Sequence, residues 1–257
     1  MRAIIAMLAA ACFAGFAHAQ DLHAPWDALL ATHLVQSNDG INRFDYAALR
    51  AHAEDRSALD GYIQALEAAA PSQMSADEAF AYWANLYNAV TVKLIVDEAP
   101  ERSIRQIKPH PFAIGPWGVE RVTVEGEALS LDDIEHDIMR PTFEAAMVHY
   151  AVNCASIGCP NLKPTAWRAA TLDADLDAAA RAYINHPRGV TRVENGIEVS
   201  RIYRWFREDF GDSEAGVIAH IRRFAAPELA AHIDAEPDIR GHQYDWDLNR
   251  VSEPASD

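Results

Sequence analysis

The stretch Ser75-Ala-Asp-Glu-Ala-Phe-Ala-Tyr-Trp-Ala-Asn-Leu-Tyr-Asn-Ala-Val-Thr-Val-Lys-Leu94 sets the frame for the rest of the chain. Ser75-x-x-Glu78 is a capping box, in which the two side chains satisfy N–H groups that a helix start leaves without partners. Phe80, Trp83, Tyr87, Val90 and Leu94 follow at spacings of three and four, which stacks them on one helical face. The pattern predicts a long core helix that ends before Pro100. Asn85 and Asn88 lie inside it, although asparagine is a poor helix-interior residue because its amide competes for backbone hydrogen bonds. Two readings follow: the amides bond a buried loop backbone, or they line a polar cleft.

Upstream, residues 26–35 predict a first short helix. The Ala-rich residues 45–70 predict one or two more, broken near Gly61 and stopped by Pro71. Downstream, residues 108–118 carry three prolines and two glycines and read as loop. Residues 121–124 alternate and meet Glu125-Gly126, a strand and a turn. Ser130 caps another helix, with Asp132, Asp133 and Glu135 in its first turns, where negative charge suits the helix dipole and solvation. Residues 147–153 form a short apolar run, read as a buried strand, and residues 154–164 are turn-rich. Residues 172–185 read as helix, and Asn195-Gly196 marks a hairpin between 190–194 and 197–200. Helices are predicted again over 203–210 and 213–233. Helices flanking a few short strands, without regular βαβ alternation, predict an α+β fold: a mainly helical single domain packed around a small antiparallel or mixed sheet.

The first nineteen residues read as a cleavable signal peptide. Arg2 gives the positive start, residues 3–16 are apolar, and Ala17-His18-Ala19 is a small-x-small cleavage site. A membrane anchor needs about 20 apolar residues, more than this run supplies. Cleavage after Ala19 implies a secreted or periplasmic protein with no membrane span, a single domain over residues 20–250, and a disordered polar tail over 251–257. Removing Arg2 from 22 basic residues leaves 21 against 38 acidic, a net charge of −17. That balance argues against nucleic acid as a partner. It leaves a small molecule or peptide as the expected ligand, and no cofactor is expected. Of the three cysteines, Cys12 leaves with the leader, so Cys154 and Cys159 remain, in a compartment where disulfides persist.

Those two cysteines fall in the segment with the densest chemistry, His149-Tyr-Ala-Val-Asn-Cys154-Ala-Ser-Ile-Gly-Cys159-Pro160. Three readings compete. A Cys154–Cys159 disulfide requires a loop, which Gly158 and Pro160 favour, and would stabilise by roughly 2 kcal/mol. Alternatively, Cys154 is a nucleophile, which needs a base, a group that orients the base, and donors for an oxyanion. His149 or His136 would be the base, with Asn85, Asn88 or Asp245 orienting it. On a strand, His149 and Cys154, five apart, would face opposite ways, and His136 on the preceding helix avoids that objection. The third reading is a zinc site drawn from His136, His149, Cys154 and Cys159, without a C-x-x-C or H-E-x-x-H element to support it. Arg140 is read as pairing with Asp137 or Glu144, and the tryptophans at 83, 117, 167, 205 and 246 as core.

Four segments, in order, resemble a known family. They are Tyr82-Trp-Ala-Asn-Leu-Tyr-Asn88, Leu129-Ser-Leu-Asp-Asp-Ile-Glu-His136 with Arg140, residues 149–162, and the closing Tyr244-Asp-Trp-Asp-Leu-Asn249. Together they resemble the domain of unknown function 547 family, from about Phe80 to Asn249. Asp247 departs from the pattern, where a small polar residue is expected. The resemblance implies no activity. It places Asn85, Asn88, His136, Arg140, His149, Cys154 and Cys159 at motif positions. The function expected from these residues is an exported thiol-dependent hydrolase or acyl-transfer enzyme using Cys154 and a nearby histidine. The alternatives are a non-catalytic envelope binding module held by the Cys154–Cys159 disulfide and a zinc-binding protein.

Overall fold

The computed structural model describes residues 21–251, so the expected signal peptide and its cleavage site, and all but the first residue of the expected disordered tail, lie outside the described residues. Helix α1 (Ala24–His33) leads into the short hairpin β1 (Leu34–Gln36) and β2 (Asn42–Phe44). Two helices follow, α2 (Tyr46–Ala51) and α3 (Ala53–Glu67). The break between them falls at His52, whose ψ of 107° is extended, and not near Gly61. Gly61 lies mid-helix with open space around its Cα, where glycine costs only about 1 kcal/mol against alanine.

Helix α4 (Ala76–Glu98) starts at the Ser75–Glu78 capping box and ends at Ala99, which adopts a left-handed φ of 49° just before Pro100. It is buried nearly all round, from Phe80 to Val96, which makes it a core helix and not a surface one. The hairpin β3 (Val122–Val124) and β4 (Glu127–Leu129) turns at Glu125-Gly126, both at positive φ. The chain then winds through a π-helical stretch, Asp133–Met139, into the short α5 (Arg140–Thr142). In the π register the Arg140 N–H bonds the Glu135 carbonyl, five residues back.

Residues 145–151 are helix α6 (Ala145–Ala151), not the buried strand that the apolar run suggested. A short apolar run bounded by turns fits a buried helix as well as a strand, and Ala146–Ala151 are all buried. Helix α7 (Leu172–Ile184) precedes the expected hairpin, β5 (Val190–Val193) and β6 (Gly196–Ser200). Next come α8 (Ile202–Trp205), a 3-10 turn (Arg207–Phe210), α9 (Glu214–Phe224) and α10 (Pro227–Ala235). Pro227, at the start of α10, divides what the sequence suggested was one helix over 213–233. An unexpected strand, β7 (Ile239–Gln243), joins β6 in parallel, so the three-stranded sheet β5-β6-β7 is mixed. The sequence Ile-Arg-Gly-His-Gln has no apolar alternation to announce it. One contiguous core runs from Trp26 to Leu248, and the architecture is the expected α+β.

Asn85 and Asn88 connect α4 to the segments that carry the chemistry. The Asn85 amide donates to the Trp167 carbonyl and accepts from the Trp167 N–H, both at 2.9 Å. Asn88 donates to the Ala151 carbonyl at 2.9 Å and accepts from the Asn153 N–H at 2.8 Å. Both side chains are buried and spent on backbone. Asn85→Ala strips both partners from the Trp167 peptide groups, so urea denaturation should show a loss of about 2–4 kcal/mol. A loss below about 0.5 kcal/mol would contradict that role.

Candidate functional site

The site begins where α6 ends. Val152 and Asn153 are extended, and the chain then enters the turn that holds both cysteines. Asn153 braces that turn on both sides: its side chain donates to the Pro160 carbonyl at 2.7 Å and accepts from the Ala155 N–H at 2.8 Å. Ala155 is held at φ 59°, a left-handed conformation that costs roughly 1–2 kcal/mol for a non-glycine residue. The closing segment after β7 runs alongside. Ile157 N–H donates to the Asp247 carbonyl, Gly158 N–H to the Asp245 carbonyl, and Asn249 N–H to the Ala155 carbonyl, at 2.8, 2.8 and 3.1 Å. A Cβ on Gly158 would lie 2.8 Å from the Asp245 backbone, so only glycine permits this approach. From behind, the Arg188 guanidinium donates to the Ile157 carbonyl and to Asn161 Oδ1.

This bracing brings two sulfurs and two hydroxyls together. Cys154 and Cys159 are free thiols, so the expected disulfide is not formed in this structure. The Cys154 N–H donates to Cys159 Sγ at 3.2 Å. The Tyr244 hydroxyl lies 3.1 Å from Cys159 Sγ, 3.2 Å from Cys154 Sγ and 2.9 Å from the Ser156 hydroxyl, which is itself 3.1 Å from Cys154 Sγ. Burial pushes the Cys159 thiol up, but donors from Cys154, Tyr244 and Ser156 outweigh it and bring it down to about 7. Cys154 is pushed well above the ordinary thiol range because it donates its proton to Cys159, and burial and the neighbouring charge add to that. Burial beside these sulfurs raises the Tyr244 phenol, which therefore stays a neutral donor. The hydrogen bonds thus favour ionisation at Cys159, with the proton kept on Cys154.

Beside the thiols runs a buried ladder of charges. His149 Nε2 lies 2.6 Å from Asp209 Oδ2, and its Nδ1 lies 3.5 Å from Glu135 Oε1. Arg140 grips the other side of Asp209 at 2.6 and 3.0 Å and reaches Glu208 at 2.8 Å. Arg140 therefore pairs with Asp209 and Glu208, not with Asp137 or Glu144. Burial opposes the charge on His149, but its bonds to Asp209 and Glu135 prevail and raise its pKa above 6.5. Asp209 is held down at about 2: burial works against the carboxylate, and His149 and Arg140 outweigh it. Glu135, expected to be solvated, is buried under His149 and Tyr87, and its pKa is lowered despite that burial.

A cavity of about 190 Å³ joins these parts. Cys154, Cys159, Pro160, Glu135, His136 and His149 are among the residues that line it. Trp117, Trp205, Phe206, Tyr244 and Trp246 line it as well, with Phe206 stacked on His149 at 4.3 Å; of the tryptophans expected in the core, Trp117 and Trp246 pack against it and also reach the cavity, and Trp205 is partly exposed there. His136 lines it too, with Nδ1 3.4 Å from Arg140 and Nε2 3.8 Å from Asp132. Of the expected site residues, Cys154, Cys159, His136 and His149 line the cavity without converging on one point, and Arg140 backs the histidines. Asn85 and Asn88 do not line the cavity. Asp245 contributes its backbone, and Asp209 takes the histidine-orienting place given to it. The sulfurs are hydrogen-bonded by Ser156 and Tyr244 and by neither histidine. Among the described residues no group of three or more His, Cys, Asp or Glu side chains is arranged to hold a metal ion, so the four expected zinc ligands are not brought together as one set. Also among the described residues, no helix is long and apolar enough to cross a membrane. The sequence offered no signal for Asp209. Tyr244 and Trp246 stood in the closing motif, where they could have been singled out.

The ladder predicts how stability follows pH. His149 has a raised pKa, so its contribution is complete below its ordinary value of 6.5 and is lost as pH rises through the raised one. Asp209 and Glu135 have lowered pKa values, so theirs is complete above 4.5 and is lost as pH falls, for Asp209 toward about 2. Denaturation across pH should show a plateau between 4.5 and 6.5 with a decline on each side. Asp209→Asn should cost about 3 kcal/mol on that plateau and bring the alkaline decline to lower pH. An unchanged pH profile in Asp209→Asn would show that the ladder does not hold a charged His149.

With the geometry in place, the family comparison has a structural meaning. A family model described as "Protein of unknown function, DUF547" matches residues 71–184. No curated protein and no solved structure matches the chain. The matched residues contain α4 with its two bracing asparagines, the π-helical stretch with Glu135 and His136, His149 on α6, and the whole thiol turn. Trp205, Asp209, Tyr244 and Trp246 complete the site from beyond the matched segment. Over residues 71–184 the chain is similar to the DUF547 family of proteins of unknown function.

Proposed function

We propose that this chain is an exported thiol enzyme that transfers or hydrolyses an acyl group, with Cys154 as its nucleophile and Cys159 as the base. The observation that carries the reading is a half-buried Cys154 lining the cavity beside Cys159, whose sulfur accepts from the Cys154 N–H and faces the Tyr244 hydroxyl, donors that bring its pKa down to about 7. A base whose pKa sits near the working pH is the most effective one. This assignment replaces His149 or His136 as the base, because the His149 ring nitrogens face Asp209 and Glu135 and His136 lies against Arg140 and Asp132.

In this mechanism the Cys154 proton passes to the Cys159 thiolate as the Cys154 sulfur bonds to the acyl carbon. The carbonyl electron pair moves onto its oxygen, for which the Tyr244 hydroxyl, 3.2 Å from Cys154 Sγ, is the proposed donor. Collapse breaks the bond to the leaving group, which takes the proton from Cys159. Water or an amine then attacks the thioester and gives a proton to the Cys159 thiolate. The Cys154 sulfur leaves and recovers that proton, which restores the starting pair.

The test uses the reduced protein and a simple activated ester, p-nitrophenyl acetate, read by intact mass and peptide mapping. The expected result is a transient acyl adduct on Cys154, absent in Cys154→Ser. In Cys159→Ser the adduct should form about tenfold more slowly at neutral pH and regain speed at alkaline pH, as an ordinary thiol does. Acylation of Cys154→Ser at the wild-type rate would overturn the proposal. So would esterase activity in protein isolated without reductant that is two protons light, because its Cys154 is then no free nucleophile.

A further inference from the structure

The aromatic lining of the cavity points to the sign of the ligand's charge. Trp205, Tyr244 and Trp246 pack with ring centroids 4.6 to 5.5 Å apart, and Trp117 adds a fourth ring 5.8 Å from Trp246. Trp205 remains 39 % exposed, so part of this apolar wall is open. Aromatic faces attract cations, and the chain already uses this: the Arg105 guanidinium lies 5.1 Å from the Trp246 centroid, and that of Arg140 lies 5.0 Å from Phe206.

The charges on the lining point the same way. Glu135 is answered by His149. Among the described residues Asp132 has only His136, at 3.8 Å, as an ionic partner, and its side chain is half exposed. Burial raises the Asp132 carboxyl, and its acidic neighbours Glu135, Asp133 and Asp137 add to that against the pull of His136, so a cation beside it would be welcome. Among the described residues neither lysine nor arginine lines the cavity. An anionic ligand would meet a carboxylate that His136 alone offsets, from 3.8 Å, and ring faces of negative potential, whereas a cationic one would meet two complementary surfaces.

We infer that the substrate taken into this cavity carries a positively charged amine or quaternary ammonium group, held between Asp132 and the Trp117, Trp205 and Trp246 wall. The inference deepens the thiol-enzyme reading by naming the class of substrate, and it rests on that reading only for the word substrate. The cation site stands on the wall and Asp132 alone, so its test needs no turnover.

The probe is choline, set against its neutral isostere 3,3-dimethylbutan-1-ol and the anion 4,4-dimethylpentanoate, with binding read from indole fluorescence. Choline should bind saturably and at least about tenfold tighter than the neutral alcohol, with the carboxylate weakest. Asp132→Asn and, separately, Trp205→Ala should each weaken choline about tenfold while the melting temperature of Asp132→Asn stays within about 2 °C of the parent. In Cys154→Ser, choline affinity should be unchanged, which separates this site from the thiol chemistry. Equal binding of choline and the alcohol, no saturable choline signal, or choline affinity indifferent to Asp132→Asn overturns the inference whether or not Cys154 is acylated.

Discussion

Backbone pairing between the thiol turn and the closing segment is the constraint on which the site depends. Residues 155–158 and 245–249 exchange main-chain hydrogen bonds over a contact so close that residue 158 must be glycine. That contact brings the Tyr244 hydroxyl to both sulfurs, although Tyr244 is 90 residues away from Cys154 in the chain. It also sets Trp246 in the cavity wall. Without it, Cys154 and Cys159 would be two ordinary thiols on a loop. With it, three kinds of donor converge on one sulfur, and the pair divides into a thiolate and a proton.

The turn can be held this way because two buried polar systems support it from beneath. The amides of α4 bond the backbone at Trp167, Ala151 and Asn153, which makes the longest helix the platform for the turn. The Glu135–His149–Asp209–Arg140 ladder ties the π-helical stretch, α6, and the 3-10 turn after α8 into one edge of the cavity. Every member of the ladder has an opposite charge within reach, which offsets the cost of burying charge. Widened π turns recur at functional sites, and here the stretch carries Glu135 inward and His136 to the cavity.

Much of this was legible in the sequence, and what was not has identifiable causes. The capping box and periodicity around Ser75 to Leu94 announced α4, and Asn195-Gly196 announced the β5–β6 hairpin. Cys154, Cys159, His136 and His149 could be singled out because reactive residue types crowded one segment. The helical state of 145–151 could not, since buried helix and buried strand have the same apolar run. That error also created a false reason to separate His149 from Cys154. Asn85 and Asn88 stood out correctly as unusual, but only their backbone partners reveal that they brace and do not line. Asp209 and Tyr244 reach the site through long-range contacts that leave no local pattern. The pairing of free thiols, likewise, depends on a turn geometry that spacing alone does not specify.

The central claim is that the two thiols share one proton. Ultraviolet thiolate absorbance of the reduced protein, followed against pH and assigned with Cys154→Ser and Cys159→Ser, tests it directly. One thiolate should appear with a midpoint of about 7, with the second deferred well beyond the ordinary thiol value of 9. In Cys159→Ser the early midpoint should vanish. Two thiols titrating together near 9, or an early midpoint that survives in Cys159→Ser, would contradict the account.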